Sequence, residues 1–317
     1  MKTLLLSPDD IDIAAKLLKT GELVAFPTET VYGLGAVISN AGAIAKIFST
    51  KGRPQNNPLI VHIASLDEVD DLAIEIPPVF YTLAKAYWPG PLTLILQRKP
   101  SVSSGVSAEL DTIALRMPRH PLARALIEKV GEPLAAPSAN LSGKPSSTSA
   151  QHVCEDFEGK IAAILDGGIC EGGIESTVIS LVFGEKPLLL RPGSITKEEI
   201  EKVLGSAIEV HAPKKGERPL SPGMAYRHYA PKAPIKLFEV EKELLMHLRT
   251  AYSKKRMILS NREIPGHKTW ALSQKTLYAL LRQSDREGCE EVLILIDEEL
   301  QHDRALTNRV FRASSSN

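Results

Sequence analysis

The sequence predicts an α/β protein with two domains of unequal size. The chain has 317 residues, about twice the length of a usual domain of ~150 residues. Hydrophobic residues make up 43% and charged residues 24%, the composition of a globular protein that buries a sizeable core. Apolar strands alternate with helical patterns, and five prolines between residues 212 and 234 interrupt this alternation.

The first domain, residues 1–208, is predicted to be rich in strands. Ser7 can cap a helix that starts at Pro8 and stops at Gly21, and 23–26 is a short buried strand. The next elements are a helix at 41–48, a strand at 59–64, helices near 66–72 and 79–87, strands at 92–96 and 112–116, a helix at 120–130, strands at 134–136, 161–166, 176–182 and 188–191, and a helix at 197–204.

A Pro-rich, basic linker is predicted at 209–234, because prolines at this density prevent a helix or a central strand. Strands and helices of ~10 residues then alternate again, which predicts a small three-layer α/β domain with a parallel sheet at 235–317. Its strands are expected at 235–240, 256–259 and 292–296, and its helices at 243–252, 276–287 and 304–311.

Composition excludes several classes of protein. The 38 basic residues balance 38 acidic ones, and only 5% are aromatic, which argues against a protein that coats nucleic acid. The three cysteines form no C-x-x-C pair, so neither a zinc site nor a disulfide framework is indicated. The apolar run Leu4–Leu6 is too short for a signal peptide, and no stretch approaches the ~20 apolar residues that span a bilayer. We therefore expect a cytoplasmic protein without membrane contact.

Two cations, Lys51 and Arg53, follow a predicted helix and stand beside Gly52 and Pro54. From an extended segment they can project the same way, which suits the several anionic oxygens of a di- or triphosphate. The alternative is a solvated helix end, where cations favour the negative end of the helix dipole.

Two further candidates lie on strands. His62 lies within the strand at 59–64 and points away from Val61 and Ile63, because strand residues alternate between faces. Arg116 ends the strand at 112–116, a position that suits a bidentate grip on a carboxylate. The alternatives are a histidine that is simply packed and an arginine that forms a salt bridge.

Loops at strand ends supply uncharged polar groups. Thr28, Glu29 and Thr30 follow the first buried strand, where α/β proteins commonly bind ligands, and Gly33 and Gly35 permit turns there. The loops at 136–143 and 172–177 are rich in Ser, Thr and Asn donors, and Arg191 closes the last strand. No P-loop, G-x-G-x-x-G, H-E-x-x-H or Ser-His-Asp order occurs. We expect a site that binds anions rather than one built on a nucleophile or a metal cage.

Several motifs together resemble one family. One motif lies in the C-terminal part, S-P-G-M-A-Y-R-H-Y-A-P at 221–231, and an α/β domain follows it; both are typical of the longer members of that family. The N-terminal motifs, in chain order, are P-T-E-T-V-Y-G-L-G at 27–35, K-G-R at 51–53, S-A-N at 138–140, G-I-E-S-T-V at 173–178 and L-R-P-G at 190–193. This set resembles the YrdC/Sua5 family of threonylcarbamoyl-adenylate synthases, of the long Sua5 type. The resemblance implies a large YrdC-like domain with a twisted mixed β-sheet, flanking helices and a basic concavity, and a smaller Rossmann-like C-terminal domain.

The resemblance also implies an activity. L-threonine, bicarbonate and ATP would give threonylcarbamoyl-AMP and pyrophosphate, for transfer to adenosine 37 of tRNA by a separate transferase. Mg2+ would be bound through the phosphates of ATP, not by protein side chains. By resemblance, Lys51 and Arg53 are catalytic, and the ATP site comprises Lys51, Arg53, Asn57, Thr112, Ser138, Asn140, Ser146, Arg191 and Tyr226. Threonine would be held by Thr30, His62, Arg116 and Ser176, with Arg116 on its carboxylate, and the linker around Tyr226 would fold over the site.

Two alternatives have different signatures. A double-stranded RNA- or tRNA-binding module of the same fold would bind without adenylation, but zero net charge and few aromatic residues weigh against it. A carbamoyltransferase of related fold would carry Cys-rich zinc fingers, which this sequence lacks.

Overall fold

The structure is a computed structural model that describes residues 2–212, 219–222, 229–250 and 254–314. The chain divides into two compact units. The first comprises Met1–Ser142 and Ser147–Ala225, and the second comprises Gly143–Ser146 and Tyr226–Asn317.

A mixed sheet of 12 strands, counted over the described residues, forms the first unit. Parallel and antiparallel neighbours occur along the order β1-β9-β2-β3-β8-β4-β7-β6-β10-β11-β12, and β5 pairs with β6. The strands are β1 (Leu4–Leu6), β2 (Val24–Phe26), β3 (Gly33–Val37), β4 (Ile60–His62), β5 (Ala73–Ile74), β6 (Leu92–Arg98), β7 (Thr112–Arg116), β8 (Leu134–Ala135), β9 (Ala163–Leu165), β10 (Thr177–Ser180), β11 (Leu188–Arg191) and β12 (Glu209–Val210). The predicted mixed sheet is confirmed.

Helices connect these strands, and α2, α5, α6 and α7 begin at side-chain caps. Asn40 accepts a hydrogen bond from the Ala43 amide at 3.0 Å, and Thr196 caps the last helix of the unit in the same way. The helices are α1 (Ile11–Lys19), α2 (Ala41–Lys51), α3 (Val69–Leu72), α4 (Pro78–Tyr87), α5 (Pro121–Val130), α6 (Ala150–Phe157) and α7 (Lys197–Leu204), with 3-10 turns at Pro8–Asp10, Leu66–Glu68 and Ser104–Ser107.

The two faces of the central strands differ in what covers them. Along β7, Ile113 and Leu115 belong to the main apolar core. Ala114 points to the other face, where it joins a small cluster with Ile60 and Ile95. Because side chains alternate, Thr112 and Arg116 share the face of Ala114. This second face therefore carries polar residues beside a small apolar patch.

Short described pieces of the predicted linker belong to the first unit. Glu209–Val210 is strand β12, which pairs with β11, so the linker begins with an edge strand. Ser221 is wholly buried, and Leu220 packs against the small cluster of Ile60, Ile95 and Ala114. Residues 213–218 and 223–228 lie outside the described residues.

The predicted turn at Gly33 and Gly35 is wrong. Both glycines lie in β3, which pairs with β2. Glycine occurs at these strand positions because a side chain would not fit. A Cβ on Gly35 would lie 2.8 Å from the ring of Phe26, and one on Gly33 would lie 3.1 Å from Ala136 Cβ. Strand β1 and helix α6 also had no counterpart in the sequence prediction.

A parallel sheet of four strands forms the second unit over its described residues, one strand more than the three predicted, and its parallel arrangement is confirmed. Its strands are β13 (Ile235–Phe238), β14 (Arg256–Ser260), β15 (Thr269–Ala271) and β16 (Glu291–Leu295), in the order β13-β16-β14-β15. Its helices are α8 (Glu241–Thr250), α9 (Leu277–Arg286), α10 (Glu298–His302) and α11 (Arg304–Ser314). The sequence prediction missed β15, which has only three residues, none of them buried. Over the described ranges, no helix of either unit has the length and apolar character required to cross a membrane.

Candidate active site

Arg116, the last residue of β7, is held by two side chains of the loop after β2 and by one carbonyl of the loop before β6. Its Nη2 lies 2.7 Å from Glu29 Oε1, and both side chains are about 95% buried. Its Nη1 donates to Thr30 Oγ1 at 2.9 Å, and its Nε donates to the Gly90 carbonyl at 3.3 Å. The loop after β2 and the end of β7 therefore form one polar cluster.

The Glu29 carboxylate is kept ionised in this cluster. Burial alone raises the pKa of Glu29, but the charge of Arg116 and its hydrogen bonding outweigh burial and lower the pKa from 4.5. The Arg119 amide adds a hydrogen bond to Glu29 Oε2 at 3.1 Å. The salt-bridge alternative for Arg116 is thus realised, and the position of its guanidinium is set by Glu29.

Strand β4 pairs with β7 in parallel, and in this pairing His62 lies beside Arg116. The side chain is buried, and its ring meets that of Phe26 edge to face at 6.2 Å. Burial, with the nearby charge of Arg116, lowers the pKa of His62 to about 3. Its Nδ1 is buried and has no hydrogen-bond partner among the described residues. The imidazole of His62 is therefore neutral beside Arg116.

Ser176 and Arg191 meet where β10 begins and the antiparallel strand β11 ends. Arg191 Nη2 donates to Ser176 Oγ at 3.1 Å, and Arg191 Nε donates to the Ser176 carbonyl at 3.0 Å. Arg191 Nη1 donates to the Pro222 carbonyl at 3.1 Å. A second hydroxyl, Thr93 Oγ1 on β6, lies 2.7 Å from Ser176 Oγ. A predicted threonine ligand and a predicted ATP ligand are thereby in direct contact.

Lys51 ties helix α2 to the loop after β8. Its Nζ donates to the carbonyls of Ser138 and Asn140, each at 2.5 Å, and its side chain is only 3% exposed. Ser138 Oγ donates to Asn140 Oδ1 at 2.6 Å. The solvated alternative for Lys51 is wrong, because the side chain is buried against this loop.

The expected extended segment from Lys51 to Arg53 is also wrong. Lys51 is the last residue of α2, and Gly52 ends the helix with a φ of 60°. Arg53 turns back on its own loop, where Nε donates to the Asn57 carbonyl at 3.1 Å and Nη2 to the Pro58 carbonyl at 2.7 Å. Asn57 Oδ1 is buried and has no hydrogen-bond partner among the described residues. Two cations and one amide therefore surround this turn.

Three predicted ligands fall outside these contacts. Thr112 begins β7 opposite Gln97, four residues and about 13 Å along the strand from Arg116. Ser146 is wholly buried, in the segment Gly143–Ser146 that groups with the second unit. Tyr226 lies outside the described residues.

The sequence prediction overlooked two residues. Glu29 was noted as part of its loop but given no role, although it fixes Arg116. Thr93 was not singled out at all. Its signal was present, since it is a hydroxyl in the apolar strand L-T-L-I-L, where an unpaired polar group would be costly to bury.

The fold and the site define an α/β enzyme. The loops at the ends of its strands place arginine, lysine and hydroxyl groups where they can bind anionic substrates. Among the described residues, no group of three acidic, His or Cys side chains is placed to hold a metal ion.

Comparisons with known proteins identify the family. A profile described as "Telomere recombination", which covers Sua5, YciO and YrdC proteins, matches residues 16–193. A second, described as "Threonylcarbamoyl-AMP synthase, C-terminal domain", matches residues 195–315. The chain belongs to the YrdC/Sua5 family, in the long form, and the resemblance found in the sequence is confirmed.

Individual relatives agree with this assignment. The chain is 54% identical over 254 residues to a Bacillus subtilis threonylcarbamoyl-AMP synthase, across 78% of this chain and 72% of the relative. It is 44% identical to that of Pyrococcus abyssi over 321 residues, 96% and 94% of the two chains. The crystal structure of P. abyssi Sua5 complexed with L-threonine superposes with a TM-score of 0.91 at 43% identity, covering 99% of this chain and 98% of that one.

Proposed function

We propose that this chain is an L-threonylcarbamoyladenylate synthase, a nucleotidyltransferase acting on L-threonine, bicarbonate and ATP. The observation that carries the proposal is the 44% identity to the P. abyssi threonylcarbamoyl-AMP synthase over 96% of this chain. The buried cluster of Arg116, Glu29 and Thr30 supports it, because Glu29 and Thr30 hold the Arg116 guanidinium, a cation suited to an amino-acid carboxylate.

The reaction joins two anions. The amine of threonine and bicarbonate combine, with loss of water, into an N-carboxylate. One oxygen of this carbamate attacks the α-phosphorus of ATP, and the bond to the bridging oxygen breaks with release of pyrophosphate. Such a step depends on neutralising charge and aligning the reactants more than on a covalent enzyme intermediate.

The threonine end of the site is built on β4, β7 and the loops beside them. Arg116 takes the carboxylate of threonine, and Thr30, His62 and Ser176 surround the rest of the molecule. Because the pKa of His62 is lowered to about 3, its ring is neutral and acts by hydrogen bonding.

The phosphates lie against the cations at the end of α2. Lys51, Arg53 and Asn57 hold them, and Ser138, Asn140, Arg191, Thr112, Ser146 and Tyr226 complete the nucleotide site. Mg2+ would enter with ATP as part of that substrate and would neutralise charge on its phosphates, with no protein side chain as its ligand. Asn57, whose buried Oδ1 has no hydrogen-bond partner among the described residues, would accept from a donor group at this end of the site.

The linker, residues 209–234, closes over the site and excludes water from a labile product. Its described residues support this role: Leu220 packs on the second face of the sheet, and Arg191 donates to the Pro222 carbonyl. Deleting the chain after residue 211 should therefore abolish turnover. Unchanged activity in that truncated protein would show that the linker only connects the domains and has no part in the reaction.

The product is an activated acyl-adenylate. It is consumed by a transferase that carries the threonylcarbamoyl group to adenosine 37 of tRNA, in the cytoplasm. Any contact of this chain with double-stranded RNA or tRNA is weak, as its zero net charge implies.

Pyrophosphate release tests the proposal directly. Purified protein with MgATP and bicarbonate should release pyrophosphate only when L-threonine is added, and a panel of other amino acids should give little. Lys51→Ala or Arg53→Ala should abolish turnover, while Cys154→Ala, a change of a partly exposed thiol, should leave it intact. Threonine-independent release, or none, would refute the assignment. Steeply salt-dependent tRNA binding without turnover would instead favour the binding module.

A further inference from the structure

The described part of the linker carries a buried hydroxyl group at Ser221. The residue is wholly buried, and its Oγ has no hydrogen-bond partner among the described residues. A hydroxyl that leaves water without gaining a new partner costs the folded protein free energy. Native proteins keep few such groups, and contact with a ligand is one reason for keeping one. Ser221 is therefore a candidate for such a contact.

The two residues beside Ser221 place it at the candidate active site. The Pro222 carbonyl accepts a hydrogen bond from Arg191 Nη1 at 3.1 Å. Leu220 packs on the small apolar cluster of the second face, which is the face that Arg116 shares. Because consecutive Cα atoms are about 3.8 Å apart, Ser221 lies in the immediate surroundings of the Arg191 guanidinium.

Arg191 makes these surroundings favourable for an anion. Its guanidinium donates to the Ser176 carbonyl at 3.0 Å, to Ser176 Oγ at 3.1 Å and to the Pro222 carbonyl. These three acceptors are uncharged, so the bonds orient the guanidinium without neutralising its charge. Arg191 is 5% exposed, and solvent screens a charge only weakly at that depth. An anionic oxygen beside Arg191 is thus stabilised, and a hydroxyl there can donate to it.

Two residues that the family resemblance names as ligands share the features of Ser221. Asn57 Oδ1 and His62 Nδ1 are buried and have no hydrogen-bond partner among the described residues. Asn57 is 1% exposed and His62 is 3% exposed. The proposed function assigns Asn57 to ATP and His62 to threonine. Ser221 shows the same combination of deep burial and an unused polar atom, but the motifs of the sequence give it no role.

We propose that Ser221 is a further ATP ligand, whose hydroxyl donates a hydrogen bond to a phosphate oxygen of the nucleotide. The direction of this bond follows from the ligand, because the phosphate oxygens of MgATP act as acceptors at neutral pH. The anion is ATP because Arg191 lies in the nucleotide site of the proposed function, on which this inference rests. The linker then contributes a binding group to the reaction and does more than exclude water.

The stability of Ser221→Ala without ligand gives the first test. Since the hydroxyl has no partner in the free protein, its removal should leave the urea concentration at the midpoint of unfolding unchanged or higher. A lower midpoint, or failure of the variant to fold, would show that the hydroxyl has a structural role and would overturn the proposal. Undiminished stability with weaker ATP use distinguishes a ligand from a structural serine.

Kinetics identify the substrate that Ser221 contacts. In pyrophosphate-release assays, Ser221→Ala should have a KM for ATP about tenfold above that of the parent, because a hydrogen bond to a charged group is lost. The KM for threonine at saturating ATP should change by less than about twofold. A rise confined to threonine, equal rises for both substrates, or no rise for either would each contradict a contact with the phosphates.

Ser180→Ala is the matched control. Ser180 is also wholly buried, but its Oγ accepts from the amides of Val182 and Phe183 at 3.2 and 3.3 Å. It ends β10, four residues and about 13 Å along the chain from Ser176. Its loss should lower the midpoint of unfolding and leave the KM for ATP at the parent value. A rise in that KM equal to the rise in Ser221→Ala would refute a specific role for Ser221.

Ser221→Cys is the conservative variant. A thiol takes nearly the place of the hydroxyl and is a weaker donor. Its KM for ATP should therefore lie between the values of the parent and of Ser221→Ala. A KM at or above that of Ser221→Ala would mean that donation from this position does not matter, against the proposal.

The two proposals fail differently. If the unaltered protein releases no pyrophosphate in response to threonine, the proposed function fails. If it does so and Ser221→Ala retains the parent KM for ATP, only the role of Ser221 fails.

Discussion

Arg116 Nη2 lies 2.7 Å from Glu29 Oε1, and this ion pair is buried on both sides. The charge of Arg116 is thus balanced within the protein before any substrate carboxylate approaches. A buried pair of this kind costs desolvation, but it holds the planar guanidinium in one orientation. The pair therefore sets the direction from which a carboxylate can be bound.

Glu29→Gln should destabilise the protein and weaken threonine binding. The substitution leaves the Arg116 charge buried without its counter-ion, which typically costs about 3–5 kcal/mol. Urea unfolding at pH 7 measures this loss. Glu171→Gln is the matched control, because Glu171 pairs with Arg119 at 3.0 Å but is 74% exposed, and it should cost less than about 1 kcal/mol.

The stability difference between the parent and Glu29→Gln should depend on pH. The pKa of Glu29 is lowered in the folded protein, so its contribution is complete above the ordinary value of 4.5. It is lost as the pH falls through the lowered folded pKa. Unfolding curves at pH 7 and pH 3 should show the difference shrinking, and a constant difference would contradict an ionised Glu29.

Acidification should destabilise the parent relative to His62→Asn. The folded pKa of His62 is about 3, against 6.5 for an exposed histidine, so below pH 6.5 protons bind preferentially to the unfolded chain. The free energy of unfolding of the parent should fall by about 2 kcal/mol relative to the variant between pH 7.5 and pH 5. Chemical unfolding across this range would detect it, and parallel curves would mean that His62 is hydrated.

Lys51→Met should impair ATP use far more than Lys46→Met. Both lysines lie on α2, but Lys51 is buried and donates to two loop carbonyls, whereas Lys46 is half exposed beside Glu22. Losing a fixed cation from a site for phosphates should lower kcat/KM for ATP by about 100-fold. Pyrophosphate release at varied ATP measures it. A comparable loss of kcat/KM in the two variants would show that Lys51 does not bind the phosphates of ATP.

Gly193→Ala should disturb the region of Ser176 and Arg191. A Cβ at residue 193 would lie 2.3 Å from the Thr177 amide nitrogen, a backbone atom that cannot move away cheaply. The expected cost is about 3 kcal/mol or more, with reduced turnover. Gly105→Ala is the control, because its Cβ would meet Ser103 Oγ at an ordinary 3.5 Å. Equal thermal stabilities of the two variants would contradict the crowding at Gly193.

Strong local patterns were enough to predict several elements to the residue. Helix α7 and strands β7 and β11 occur where the sequence places them, because each combines a clear periodicity with caps or turn residues at its ends. Helix α6 was missed, although Ala150, Val153 and Phe157 follow a helical spacing. Only half of its eight residues are apolar, and it is held partly by polar contacts such as that from the Leu141 amide to Asp156.

The candidate site, like the fold, could be predicted only in part. The ordered motifs predicted the family and named Thr30, Arg116, Ser176 and Arg191 as ligands. They did not reveal that Lys51 is buried at a helix end or that Arg53 turns onto its own loop. Those features depend on how the loops pack, which a pattern of residue types does not contain.

By itself, therefore, the sequence determined the α/β class, the alternation of elements, and the family to which the chain belongs. The tertiary structure alone decided which polar groups meet. The hydrogen bond from Arg116 to Thr30 spans 86 residues, and that between Thr93 and Ser176 spans 83. Local periodicity is set by the backbone geometry of a few neighbouring residues, whereas these contacts require the order and register of the whole sheet.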